Sequence, residues 1–353
     1  MALIFCDGFD SYTATAEFTD KWNLVNNGPT LTTTGGKFGG GAMSCSSYYT
    51  WCGAETPIFP NVNVSNQLFF GFWMKATGLP SSDGSASYGN SGLGLPNSNN
   101  GSFSLVTAGT VVPGAVQLLK LGTSTVLATG TVNVHDGNWH WIEIGFLLSS
   151  TSSGWAKVYV DGVQQINYSG ATMNGAYTLN GNITLSFMQN TNGGPVWYYD
   201  DFIAWDNTGT NMNTFPLGPQ RISTLVPNAD GDTIQFTPST AGTHYTCVNG
   251  DYTATSYVSD GGTGNVDLYK YPSLAYTPQN ISAVVANYWG QNPGTGSANL
   301  IAKLKTNGTL VSGNTFGLSN GANHLYQNSF YTDASGAAWA ATSVNAMQVG
   351  VGD

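Results

Sequence analysis

Apolar and polar residues alternate with a period of two along much of the chain, and nowhere do they recur at helical spacing. The segment 139–147 is the clearest case: Ile142, Ile144 and Phe146 fall on one side, Trp139, Trp141 and Glu143 on the other. Successive side chains of a strand point to opposite faces of its sheet, so the pattern predicts a sandwich strand with one apolar and one half-exposed aromatic face. Runs at 68–76, 103–107, 116–120, 156–160, 183–188 and 196–205 predict further strands. Turn-forming residues separate them: Asp136-Gly137-Asn138, Asp161-Gly162 and the stretch 190–195. Closely spaced strands of this kind predict an antiparallel sandwich or jelly roll.

The pattern breaks at 207–220, where Pro216, Pro219, Gly209 and Gly218 stand among polar residues. Such a stretch cannot continue a central strand and reads as a linker. It divides a first domain, 1–206, from a second, 221–353, in which strand-like runs resume at 233–236, 266–271, 281–289, 300–305, 324–332 and 346–351. At 353 residues the chain exceeds what one core usually serves. The expected fold class is all-β: two β-sandwich, jelly-roll-like domains, the second smaller.

Composition sharpens this picture. Charged residues are 8% of the chain and glycines number 46, which would suit disorder if aromatics were scarce; at 12% they are not, and they supply a core. The net charge is −10 and Arg221 is the single arginine among nine bases, which argues against nucleic acid as a partner. The N-terminal residues lack the basic start of a signal peptide, and no apolar run is long enough to span a membrane. The expectation is a soluble protein without membrane contact. Cys6, Cys45, Cys52 and Cys247 show no CxxC spacing, so reduced thiols are the default, with Cys45 and Cys52 able to bridge locally in an oxidising compartment.

Particular residues carry a resemblance. Asp7-Gly8-Phe9-Asp10-Ser11-Tyr12, Lys37-Phe38-Gly39, Trp139-His140-Trp141-Ile142-Glu143, Val158-Tyr159-Val160-Asp161-Gly162 and Tyr199-Asp200-Asp201-Phe202 follow one another as in the concanavalin A-like, laminin-G-like jelly roll, which the first domain resembles. The second half resembles a domain of tailed-bacteriophage virion proteins through 225–232, 235–239, Asp267-Leu268-Tyr269, Trp339 and Val344-Asn345-Ala346. Together these imply a structural accessory protein of a tailed-phage virion, a capsid decoration or compact tail-associated protein. The implied partners are the major capsid protein or tail components and further copies of the chain, with assembly in the host cytoplasm. The alternative is a glycan-binding adhesin using the lectin-like domain.

Candidate chemistry is sparse. Retaining glycosidases need two carboxylates about 5–5.5 Å apart, whereas the three glutamates, Glu17, Glu55 and Glu143, do not pair along any strand. No G-x-S-x-G elbow or phosphate-binding loop occurs, and the expectation is a protein that is not an enzyme. No cofactor is expected beyond a structural calcium ion. Asp7 and Asp10, near the first strand, and Asp200 and Asp201, near the last, are its candidate ligands, since hard cations take carboxylate and carbonyl oxygens. The candidate glycan site is Trp197, Tyr199 and Trp205, taken as one face of the last strand, with Asn190 and Asn192 in the preceding loop.

Overall fold

The computed structural model describes residues 3–22, 24–26, 29–45, 52–57, 67–77, 104–107, 114–120, 125–174, 184–187, 196–250 and 255–353. It is all-β, apart from short helical turns such as α1 (Phe18–Lys21) and α2 (Ala341–Asn345). The chain separates into two compact units, Met1–Ile222 and Ser223–Asp353.

In the first unit the strands are β1 (Leu3–Asp7), β2 (Leu24–Asn26), β3 (Thr30–Thr32), β4 (Ala42–Cys45), β5 (Cys52–Glu55), β6 (Leu68–Thr77) and β7 (Ser104–Thr107). They continue with β8 (Ala115–Leu119), β9 (Val126–Asn133), β10 (Trp139–Leu147), β11 (Trp155–Val160), β12 (Val163–Ser169), β13 (Thr184–Phe187) and β14 (Val196–Asp206). An eight-stranded antiparallel sheet runs β12-β11-β10-β6-β14-β4-β3, with β1 added to β14. Two three-stranded sheets, β13-β5-β2 and β7-β8-β9, complete this jelly-roll-like sandwich. Trp22, Trp141, Trp197, Trp205, Tyr199, Phe9, Phe18, Phe70, Phe72 and Phe202 are all fully buried. Each such ring contributes about 4–6 kcal/mol of gross transfer energy, so a chain poor in charge still builds a dense interior.

The β11–β12 hairpin turns at Asp161 and Gly162, both at positive φ (51° and 79°), as a two-residue turn of this twist requires. The thiols of Cys45 and Cys52 are buried, unbridged and hydrogen-bonded to each other, which raises the pKa of Cys45.

Residues 207–220, expected as a linker, lie inside the first unit and pack on its large sheet. Phe215 stacks on Phe69 with ring centroids 5.0 Å apart and meets Tyr159 edge-on at 5.5 Å. The Trp205 indole donates to Thr214 O at 2.9 Å and the Trp73 indole to Gln220 O at 2.8 Å. The backbone N–H groups of Leu217 and Gly218 donate to the Glu143 carboxylate at 2.7 and 3.1 Å. Proline and glycine here mark a strap whose backbone groups are satisfied by side chains of the sheet.

The second unit holds β15 (Ala229–Ile234), β16 (Thr237–Pro238), β17 (Val258–Ser259), β18 (Val266–Lys270), β19 (Val284–Gly290), β20 (Asn299–Thr306), β21 (Thr309–Gly317), β22 (His324–Phe330) and β23 (Gln348–Gly352). A five-stranded antiparallel sheet, β15-β18-β23-β20-β21, accompanies the pairs β19–β22 and β16–β17. Its core gathers Ala302, Leu304, Phe330, Trp339, Val344, Met347 and Val349. Asp267 is fully buried there; it accepts from the Gln235 and Phe236 N–H groups, the Tyr269 hydroxyl and the His244 ring. That set of partners explains a buried acid without any catalytic role.

Candidate functional site

The four aspartates expected as calcium ligands divide into two kinds. Asp7, on β1, is 1% exposed and its oxygens are engaged by the Tyr12 hydroxyl (2.5 Å), the Trp22 indole (2.7 Å), the Phe9 N–H (3.0 Å) and the Lys21 ammonium (3.1 Å). Those donors make Asp7 the polar anchor of an aromatic cluster in which Trp22 stacks on Phe9 at 5.7 Å. Asp7 is thereby removed from the candidate ligands, because its oxygens already serve four donors.

Asp10, Asp200 and Asp201 remain, gathered by β14 and the glycine-rich turn after β3. Asp10 accepts the Gly41 N–H, and Asp200 accepts those of Lys37 and Asp201, all between 2.7 and 2.8 Å. Asp201 Oδ1 accepts the Ile222 N–H at 3.0 Å, while its buried Oδ2 has no hydrogen-bond partner. Glycine is needed at 36 and 40, because a Cβ at either would collide with the Asp200 or Asp10 carboxylate. Burial is the main cause of a raised pKa at all three; repulsion among the carboxylates adds to it, taking Asp200 to about 7 and Asp201 to about 9. Among the described residues, no three His, Cys, Asp or Glu side chains already converge on a metal position.

The expected glycan residues are placed differently from the sequence reading. β14 carries a β-bulge: Asp200 pairs with Trp73 but Ile203 pairs with Gly71, so one extra residue intervenes. Asp201 sits at this irregularity with φ 49°. Side chains before and after the bulge therefore exchange faces. Trp197 and Tyr199 point into the core, against His135 (4.6 Å) and Phe72 (5.8 Å), and are 0% and 1% exposed. Trp205 points to the opposite face and lies beneath the strap, 6.3 Å from Phe215. None of the three is available to a ligand. Asn190 and Asn192 lie outside the described residues.

The strap-bearing face holds the residues that the sequence reading passed over. Cross-strand pairing sets Trp139, Lys75, Tyr198, Ser44 and Thr30 in one row across β10, β6, β14, β4 and β3. Trp139, Lys75 and Tyr198 are half-buried, and the rings of Trp139 and Tyr198 are 6.4 Å apart. Lys75 Nζ lies 5.6 Å from the Tyr198 ring. In the next row Trp73 meets the exposed Phe38 edge-on at 5.9 Å; Lys37 Nζ sits 4.4 Å over Trp73 and the Arg221 guanidinium 4.6 Å from Phe38. Further along the same face, Trp141 and Glu143 are buried rather than half-exposed, because the strap closes over that half. Tyr198 was legible only by placing the alternation one residue away from Trp197 and Tyr199.

No family model matches the sequence, and no curated protein sequence matches it. Solved structures that resemble the chain include an endo-β-1,4-glucuronan lyase from the fungus Trichoderma reesei, at 14% identity over 57% of this chain and 95% of that one, with a TM-score of 0.37. The binding domain of Paraclostridial mosquitocidal protein 1 shares 11% identity over 70% of each chain, with a TM-score of 0.39. Arcelin-5, a lectin-like defence protein from Phaseolus vulgaris, shares 12% over 57% of this chain and 97% of its own, with a TM-score of 0.36. These findings correct the expectation of a tailed-phage structural component acting through protein–protein contacts. None of these three is a phage protein, and what they share with the chain is the β-sandwich fold. No helix among the described residues is long and apolar enough to cross a membrane.

Proposed function

We propose that the first unit is a glycan-binding module whose ligand lies on the open half of the large sheet, over Trp139 and Tyr198. The observation that carries this reading is the row itself. Two half-buried aromatic rings stand on β10 and β14, with a lysine of the intervening β6 between them and the paired hydroxyls of Thr30 and Ser44 (2.7 Å) beyond. Aromatic bodies with polar tips on a rigid sheet supply apolar contact and hydrogen bonding together, the combination a sugar ring offers in return. The role is binding without turnover. Glu143, the glutamate on this face, is fully buried and both its oxygens accept strap N–H groups, so it is withheld from proton transfer. The test is a glycan microarray with the intact chain and with Tyr198→Ala and Trp139→Ala. The reading expects binding that each variant weakens on the order of tenfold, about 1.4 kcal/mol; equal binding by wild type and both variants, or none at all, refutes it.

The acidic cluster supports a structural calcium ion as part of the same module. Its donor set fits a hard cation in part: Asp10, Asp200 and Asp201 bring three carboxylates, and the orphaned Asp201 Oδ2 is a buried oxygen that a cation would satisfy. Calcium at about 100 times its Kd then stabilises the folded unit by about 2.7 kcal/mol, a rise of roughly 5–10 °C in Tm for a unit of this size. Asp201→Asn removes the rise. A calcium-independent Tm in the wild type overturns this assignment.

A further inference from the structure

We infer that the ligand of this face is an acidic glycan, whose anionic groups are met by Lys75 and Lys37; the inference rests on the glycan-binding reading above. The chain carries nineteen acids and nine bases, yet Lys37, Lys75 and Arg221 gather on one face of the first unit. Each is held over an aromatic ring of that face: Lys75 over Tyr198, Lys37 over Trp73 and Arg221 over Phe38. Elsewhere Lys21 is paired with Asp7 and Lys305 with Asp232. Among the described residues Lys37 and Lys75 have no carboxylate within ion-pair distance.

A cation resting on a ring at an accessible site is held by only about 0.5–1 kcal/mol, so an arriving anion recruits it at little cost. The two kinds of group also alternate. Trp139, Lys75 and Tyr198 stand on successive strands about 4.8 Å apart, and a second cation, Lys37, lies over the neighbouring Trp73. A chain of sugars with a charge on each ring matches such an alternation of aromatic and cationic positions. A neutral chain leaves the cations unused. Asp200, an acid on this face, is 4% exposed and accepts from the Lys37 and Asp201 N–H groups, which occupy its oxygens.

The experiment compares, by isothermal titration with the intact chain, an oligoglucuronate, a sulfated oligosaccharide and a neutral gluco-oligosaccharide of equal length, at low and high salt. The expected result is binding of the uronate that weakens at least tenfold in Lys75→Gln and in Lys37→Gln and falls with added salt. Lys303→Gln, which removes the same charge from the second unit, leaves it unchanged. Tighter binding of the sulfated probe keeps the acidic class and assigns sulfate over carboxylate. Equal affinity for the neutral probe, indifferent to salt and to both lysine variants but lost in Tyr198→Ala, overturns the inference and leaves the glycan-binding reading standing. Absence of binding to all three probes removes both. Circular dichroism of each variant separates loss of the site from loss of the fold.

Discussion

Gly145 and Phe215 form a pair whose coupling can be worked from the structure. A Cβ added at Gly145 would lie 2.8–2.9 Å from three carbons of the Phe215 ring. That ring cannot swing aside freely, because Phe69 stacks on it at 5.0 Å and Tyr159 abuts it at 5.5 Å. Gly145→Ala therefore overpacks the strap and costs about 1–3 kcal/mol. Phe215→Ala loses its pairs with Phe69, Tyr159 and, more distantly, Trp205, aromatic contacts worth about 0.5–1.5 kcal/mol when close, together with part of the area of a half-buried ring. Its cost is about 2–3 kcal/mol, below the 3–5 of a fully buried Phe. In the double variant the new methyl enters space that the ring has vacated, so adding Gly145→Ala to Phe215→Ala is nearly neutral. A double-mutant cycle by urea unfolding, followed through tryptophan fluorescence, then gives a coupling of at least about 1 kcal/mol. Strictly additive effects would refute the reasoning, because they would mean that the 207–220 segment does not rest on β10 in solution.

Two further outcomes follow from the polar groups of the first unit. Lys21→Met leaves the buried Asp7 carboxylate without its cation and is expected to cost about 3–5 kcal/mol in urea unfolding; a loss below about 1 kcal/mol would show that the pair is not buried in solution. His140 bridges Asp161 (2.7 Å) and Asp136 (3.0 Å). Burial opposes its charged form, but the two carboxylates outweigh burial and raise its pKa above 6.5, so its contribution to stability is complete below pH 6.5 and is lost as pH rises through the folded-state value. Asp136 is lowered to about 2, with the Asn138 and His140 bonds outweighing burial, so its contribution is present above 3.8 and lost as pH falls through 2. Unfolding of wild type against His140→Gln from pH 5 to 9 should show their difference shrinking toward alkaline pH; a difference that grows would contradict the geometry.

The strands that cross the sheet centre were legible because both their faces are demanding. β10 runs from Trp139 to Leu147 as its alternation predicts, and β14 and β6 extend only a residue or so beyond the predicted runs. β12 and β21 were not found, since their exposed faces are polar and their apolar signal is thin. For β21, the preceding Asn307-Gly308 was an available hairpin signal: both residues have positive φ, 50° and 81°. Asp230-Gly231-Asp232 has the composition of a turn but lies within β15, where Asp232 forms an ion pair with Lys305.

The glycan residues were misassigned for one physical reason. Strict alternation carries a reader from Trp197 and Tyr199 to Ile203, but the bulge at Asp201 reverses the faces, and no residue type in Tyr199-Asp200-Asp201-Phe202 announces it. The strap was hidden in a different way. Its proline and glycine content is that of a linker, and only the pairing of its backbone N–H groups with Glu143, some seventy residues earlier, shows otherwise. The acidic cluster was the part most open to sequence reasoning, because Asp10 follows the first strand and Asp200 and Asp201 lie on the last, and a jelly roll pairs those two strands; Asp7 failed as a ligand through Lys21, Tyr12 and Trp22, whose convergence depends on the fold.

The most direct test of the central claim is a crystal structure of the intact chain with the oligosaccharide it binds best. The account predicts sugar rings stacked on Trp139 and Tyr198, with Lys75 Nζ turned from the Tyr198 ring toward a ligand oxygen. Sugar bound elsewhere, with the Trp139–Lys75–Tyr198 row bare, would contradict it.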